Sequence, residues 1–256
     1  MTEQGLVRRT ITVLRAVAAH PGGVGLSSVA RAAGLPKSTC YRVLSVLEQE
    51  NWVSLDPVTR RYQVSLGLLS VVGGLLDENG SYPRMRAVVT ELAAEAEETA
   101  GFDVLLPPHV QVVTQAAGPH LIGQTTRAVP RTQPVWCTST GKVLLAALEP
   151  RAVTDTYGPE LERSAPGGTA FLPGFLATLR EVRDAGYAHT ADEIAPGAAS
   201  VAAPVRVAGR VPYAVWVGGP TFRFTPERLP ALIARVRAAA DEIGRLLSAT
   251  DLAGAP

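Results

Sequence analysis

The 256-residue chain is poor in several things, and each shortage excludes something. It has two cysteines, Cys40 and Cys137, far apart in the sequence. That excludes a disulfide framework and fits a reducing compartment. No stretch approaches ~20 consecutive apolar residues, so no membrane-spanning helix is expected. Met1-Thr2-Glu3-Gln4 lacks a basic segment followed by an apolar run, so no secretory leader is expected at this end and a cytoplasmic location follows. There are four histidines, and no His/Cys/Asp/Glu set has metal-ligand spacing, so neither a metal nor another cofactor is expected. An excess of charge of one sign is missing too: 24 Lys and Arg against 23 Asp and Glu leave a formal net charge of +1. What is present is apolar residue in plenty, 46% against 18% charged, enough for a buried core and too much for a disordered chain. The length suits two ordinary domains or one large one.

The charge is unevenly placed. Residues 1–65 hold eight Lys or Arg and four acids, a net +4, while the remainder holds 16 and 19, a net −3. A basic head on a mildly acidic body is the asymmetry expected when one end meets nucleic acid.

The head reads as helices. Val7, Ile11, Leu14 and Ala18 recur at helical spacing over residues 7–19, and His20-Pro21-Gly22-Gly23 stops the pattern. Ser27 can cap a short helix over 28–33, closed by Gly34. Pro36 opens a third helix from its first position. On that helix Cys40, Val43, Leu44 and Leu47 share one stripe and should face the core. Ser38, Tyr41, Arg42 and Ser45 lie opposite, with Lys37 at the N-terminal end and Thr39 beside it. This is a helix-turn-helix layout whose outer residues can donate to base edges and phosphates. Two short strands follow, 52–55 and 60–64, joined by an Asp56-Pro57 turn. They make a hairpin wing with Arg60 and Arg61 at its base.

Gly34-Leu35-Pro36-Lys37-Ser38-Thr39, followed by Tyr41-Arg42-Val43-Leu44, resembles the DNA-binding head of the IclR family of bacterial transcription regulators. The resemblance implies a winged head followed by an effector-binding domain, with Lys37, Ser38, Thr39, Tyr41, Arg42, Arg60 and Arg61 as the DNA-contacting set.

The rest of the chain fits such a body. Leu66–Leu76 is a helical connector too apolar to stand in water alone, so it should pack on a partner or on the body. A helix over 84–99 puts Val88, Leu92 and Ala96 on one face and a run of glutamates outside. Strands are expected at 102–106, 110–116 and 121–127. Helices are expected at 139–148, ended by Pro150, and at 176–185, stopped by Gly186. A hairpin is expected at 201–207 and 211–218. A last helix capped by Thr225-Pro226 turns Leu229, Leu232, Val236, Ala240, Ile243 and Leu247 inward. The class is α+β, an antiparallel sheet flanked by helices. The domains expected are a winged helix-turn-helix domain over 1–66, a linker helix over 67–81 and an effector-binding domain over 82–256.

Val135-Trp136-Cys137-Thr138-Ser139-Thr140-Gly141-Lys142 carries fragments of several active sites. A phosphate loop needs an earlier glycine and a hydroxyl after Gly-Lys; here Trp136 and Val143 stand in those places. A Cys137 nucleophile needs a base, and none of His20, His109, His120 or His189 is tied to it by sequence. A hydrolase using Cys137 or Ser139 stays as the alternative reading. The third reading is a helix N-terminus, capped by Thr138 or Ser139, whose N–H groups and hydroxyls are offered to a ligand.

The body is also similar to the IclR family, in a fold related to GAF sensor domains, through 137–148, 179–187, Pro196-Gly197 leading to 201–205, and Gly219-Pro220 leading to Leu229. The resemblance implies a pocket built from Ile122, Thr125, Ser139, Thr140, Thr190, Ser200, Trp216 and Gly218. An indole at 216 beside a glycine at 218 favours a flat or aromatic effector. The expected protein is a regulator and not an enzyme, a repressor in the first instance. It binds double-stranded operator DNA as a homodimer or dimer of dimers and answers to a small organic acid or aromatic metabolite.

Overall fold

A computed structural model describes residues 3–78, 80–120, 128–167 and 171–253. The chain divides into two compact units, Met1–Asp77 and Glu78–Pro256.

The first unit packs α1 (Glu3–Ala18), α2 (Leu26–Ala33) and α3 (Lys37–Gln49) against a small antiparallel sheet of β1 (Val24–Gly25), β3 (Arg61–Val64) and β2 (Val53–Leu55), in that order. α3 buries Cys40, Val43, Leu44 and Leu47, the stripe its period predicts. α1 does not follow its expected stripe: Val7 and Ile11 are 60% and 46% exposed, and Val13, Ala16 and Val17 are buried instead. α1 carries two apolar stripes at helical spacing, and packing against α2 and α3 selects between them. α2 starts at Leu26 with Gly25 as its cap, so Ser27 lies inside the helix and caps nothing. Pro36 stands one place before α3, at the cap position and not inside the first turn.

Gly34 joins α2 to α3 in the left-handed conformation, φ 64°. Its N–H donates to the Arg31 carbonyl at 3.2 Å and that of Leu35 to the Ala30 carbonyl at 3.1 Å, closing α2 and turning the chain into α3. In the wing, Asp56 Oδ1 accepts from the Val58 and Thr59 amides at 2.8 and 3.0 Å. Those two donors hold the Asp56 carboxyl below its ordinary pKa. β1 was not expected; two residues are too few to show a period. After a 3₁₀ turn at Leu66–Leu68, α4 (Leu69–Leu76) buries none of its side chains within its own unit.

The second unit is built on a sheet whose order is β6 (Arg131–Pro134), β5 (His109–Ala116), β4 (Thr99–Leu106), β9 (Arg210–Pro220), β8 (Ala198–Val207) and β7 (Ala188–Ala191), each neighbour antiparallel. One face is covered by α5 (Ser81–Ala96) and α9 (Leu229–Ala253), with Val89, Leu92, Val236 and Ile243 packed on Phe102, Val201 and Val215. The other is covered by α6 (Ser139–Ala146), α7 (Pro150–Ser164) and α8 (Phe171–Ala185), with Leu144, Tyr157 and Phe175 packed on Val110, Val112 and Ala202. The alternation of strand residues sorts the two cores, as period two requires.

Several expectations are corrected. Pro150 does not merely end α6; it stands in the first turn of α7, where its missing N–H costs nothing. α8 begins at Phe171, five residues early, and α9 at Leu229, after a turn in which Thr225 Oγ1 accepts from Arg228 N at 3.4 Å. Glu98 is not on the outside with Glu91 and Glu95; it is 2% exposed and receives Arg223 through two nitrogens at 2.5 and 2.7 Å. The short edge strands β6 and β7 were not expected. The strand expected at 121–127 lies outside the described residues.

Candidate functional site

Two sites follow from the two units. On the first, α3 presents Lys37, Ser38, Tyr41 and Arg42 to solvent, and Arg60 and Arg61 are exposed on the wing. Arg60 takes φ 54° at the end of the hairpin turn, where its N–H returns to the Asp56 carbonyl at 2.9 Å. Thr39 is half-buried. It shares with Arg42 a groove of about 290 Å³ between α1 and α3, which Leu6 and Val46 also line. The structure therefore gathers the basic and hydroxyl side chains of α3 on one exposed surface.

On the second unit a cavity of about 200 Å³ lies between the N-terminus of α6 and the sheet. α6 is wholly buried, all eight residues of it. Thr138 caps it: its Oγ1 accepts from the Gly141 amide at 3.1 Å and donates to the Pro134 carbonyl at 2.8 Å. Gly141 permits this placement, because a Cβ there would run into the Val135 carbonyl. Two first-turn hydroxyls then meet the sheet. Ser139 Oγ lies 2.7 Å from Ser200 Oγ, which lies 2.8 Å from Thr190 Oγ1. Thr140 stands near the carboxyl of Asp103 and favours its ionised form.

Strand register makes this possible. Thr190, Ser200 and Gly218 pair in sequence across β7, β8 and β9, so three residues remote in the chain form one row. The next row sets Trp216 opposite Gly101 of β4. The indole lies across the bare Gly101 backbone, where a Cβ would stand 2.5 Å from its Cζ2. From there Nε1–H reaches Asp103 Oδ1 at 2.7 Å. Gly101 and Asp103 are two residues apart on one strand and share a face.

The lining polar groups differ in character. Asp103 is buried, and burial pushes its carboxyl up to about 7 against the bond from Trp216, the Thr140 hydroxyl and the charge of Arg131. Arg131 Nη1 donates to Gln115 Oε1 at 2.8 Å. Behind the cavity Lys142 Nζ meets both Glu193 oxygens at 2.5 and 2.6 Å, so the one ammonium of α6 is neutralised. The Cys137 thiol lines the cavity, and burial raises its pKa, the reverse of what a nucleophile needs. Among the described residues no group of three or more His, Cys, Asp or Glu could hold a metal ion.

Of the expected ligand-binding set, Ser139, Thr140, Ser200, Trp216 and Gly218 line the cavity. Thr190 stands behind Ser200, buried, and orients its hydroxyl. Ile122 and Thr125 lie outside the described residues. Asp103, Arg131, Gln133, Ile194 and Ala195 also line the cavity and were not expected. Asp103 had a signal in the sequence: an acid inside an otherwise apolar strand needs a partner or a purpose.

The sequence profile of the IclR helix-turn-helix domain matches residues 6–57, and that of the bacterial transcriptional regulator IclR C-terminal region matches residues 76–245. The glycerol operon regulatory protein of Streptomyces coelicolor is 30% identical over 246 residues, covering 95% of this chain and 96% of that protein. The transcriptional repressor IclR of Escherichia coli is 26% identical over 239 residues, covering 92% and 87%. Among solved structures, an IclR transcriptional regulator from Alicyclobacillus acidocaldarius superimposes with a TM-score of 0.76 at 24% identity, covering 94% of this chain and 98% of that one. An IclR homologue from Microbacterium hydrocarbonoxydans in complex with 4-hydroxybenzoate superimposes with a TM-score of 0.68 at 21% identity, covering 95% and 99%.

Proposed function

Because the chain belongs to the IclR family of DNA-binding transcriptional regulators, we propose that it is a repressor whose operator affinity is set by a small aromatic effector held at the N-terminus of α6. The family is one of regulators and not of enzymes, so the hydrolase alternative through Cys137 or Ser139 falls away. The observation that carries the effector reading is the cavity itself: a flat indole forms one wall, and a helix N-terminus with two hydroxyls stands at another. An indole face receives a ring by stacking, and first-turn N–H groups donate to an electron-rich substituent. The relative solved with 4-hydroxybenzoate supports a ring of this size. The relatives described as repressors support the sign of control.

On the DNA side, α3 enters a major groove with Lys37, Ser38, Thr39, Tyr41 and Arg42, and Arg60 and Arg61 meet backbone or minor groove from the wing. The partner is double-stranded operator DNA, and a cytoplasmic location goes with that reading. The chain acts as a homodimer or a dimer of dimers, with half-sites about one helical turn apart or a multiple of it. The run Leu66, Leu69, Val71, Leu75 and Leu76 supports this, since it is exposed within its own unit and water is a poor neighbour for so contiguous an apolar surface. Effector and operator binding are linked, so each changes the affinity for the other by one factor.

The test is a thermal-shift screen of aromatic acids and related amides, with each hit carried into a gel-shift titration on the promoter region of the protein's own gene. A hit that raises the melting temperature and weakens the DNA complex is the expected result. A screen without a hit counts against the effector, and a hit that tightens the complex counts against repression relieved by ligand.

A further inference from the structure

The polar groups around the cavity are unequally committed. The hydroxyls of Ser139, Ser200 and Thr190 are bonded to one another. Lys142 is held by Glu193, and Arg131 by Gln115. Asp103 differs from all of these. It lines the cavity and is 1% exposed, and its bond comes from Trp216 Nε1–H, with the Thr140 hydroxyl nearby. The ionised carboxylate offers about four lone-pair sites and the protonated acid keeps acceptor capacity beside its O–H, so these two neighbours leave capacity over.

Resting on the effector reading above, we propose that Asp103 is the specificity-determining residue of the pocket. Its carboxyl accepts a hydrogen bond from an O–H or N–H carried on the effector's ring, and the pocket thereby rejects rings that lack a donor. The geometry supports this in two ways. The indole of Trp216 is both the plate on which a ring can stack and the group that fixes Asp103 at its edge, since Nε1–H reaches Oδ1 at 2.7 Å. A ring lying on the indole therefore has its edge directed towards a fixed acceptor. Gly101 is what lets the indole lie flat enough to reach Asp103, so the arrangement needs all three residues. A ring without a donor would cover Asp103 and strip it of water with nothing in return, and a buried acceptor left unpaired is costly. An anionic substituent pressed against it would add like-charge repulsion.

The test uses the full-length chain and a panel of 3- and 4-substituted hydroxy-, amino- and methoxybenzoates, with affinities from calorimetry at a pH well above 7, where Asp103 is ionised. Methoxy keeps the ring and the oxygen and removes the donor. We expect at least one hydroxy or amino probe to bind the wild type roughly 10- to 100-fold more tightly than its methoxy counterpart. We expect that ratio to fall to about one in Asp103→Asn, whose amide keeps the bond from Trp216 but turns an N–H to the cavity. Asp103→Ser is the second variant, with the same collapse expected, should the first fail to fold. A ratio of one in the wild type overturns the proposal whether or not a variant folds, as does a high ratio that survives in either variant. Binding without discrimination leaves the aromatic-effector reading standing and removes Asp103 from it. A panel in which nothing binds overturns both.

Discussion

α3 and α6 treat their polar residues in opposite ways. α3 sets Lys37, Ser38, Tyr41 and Arg42 in solvent and buries a clean stripe behind them. α6 is of similar character in sequence, with hydroxyls, a glycine and a lysine, yet it buries every one. A helix at a surface is described by its own periodicity, because water on one side and core on the other sort the side chains. A helix inside a unit is described by its neighbours. The hydroxyls of α6 need Ser200 and Asp103, its lysine needs Glu193 and its glycine needs the Val135 carbonyl.

The largest test of that contrast is Gly141→Ala. The added Cβ has no room beside the Val135 carbonyl, so we expect a loss of about 3 kcal/mol, read as a clear fall in melting temperature. An unchanged melting temperature would show that α6 can shift and that its burial is not tight. Next comes Lys142→Met, which leaves Glu193 facing an apolar group. Removing one partner of a fully buried pair costs more, but the Glu193 side chain is 35% exposed, so about 2 kcal/mol is expected by urea denaturation. On α3 the effects move from stability to binding. Arg42→Ala should weaken operator binding about tenfold, ~1.4 kcal/mol, with the melting temperature unmoved. A stability loss there instead would show that Arg42 packs in the α1–α3 groove it lines and does not read the DNA. Smallest is Gly34→Ala, at about 1 kcal/mol. No atom crowds Gly34; only its φ of 64° resists a side chain, so Gly34→Asn should recover most of the loss. The two glycines thus separate a cost of space from a cost of conformation.

Legibility in the sequence follows the same line. The stop at Gly34, the stop at Gly186 and the hairpin around Ala208-Gly209 were all readable, because each depends on a few consecutive residues; the last two take φ 47° and 73°. α1 was misread in its buried face, since two stripes of equal period compete and only α2 and α3 decide between them. Glu98 was misread as solvated because its partners Arg223 and Arg228 are more than a hundred residues away. In the pocket, Ser139 and Thr140 were legible as the start of a helix. Asp103 was legible only as an acid in an apolar strand; its role was not, because its partner Trp216 lies on another strand.

The sequence by itself determined a basic head and a mildly acidic body, an outward face on α3 with Lys37 and Arg42 in it, and a helix beginning after Thr138. These are local matters of composition, period and capping. The tertiary structure alone decided that Thr190, Ser200 and Gly218 share a row, and that Trp216 crosses Gly101 to reach Asp103. Register and long-range packing leave no mark within any one segment. They are set by which strands pair and by how closely two backbones can approach.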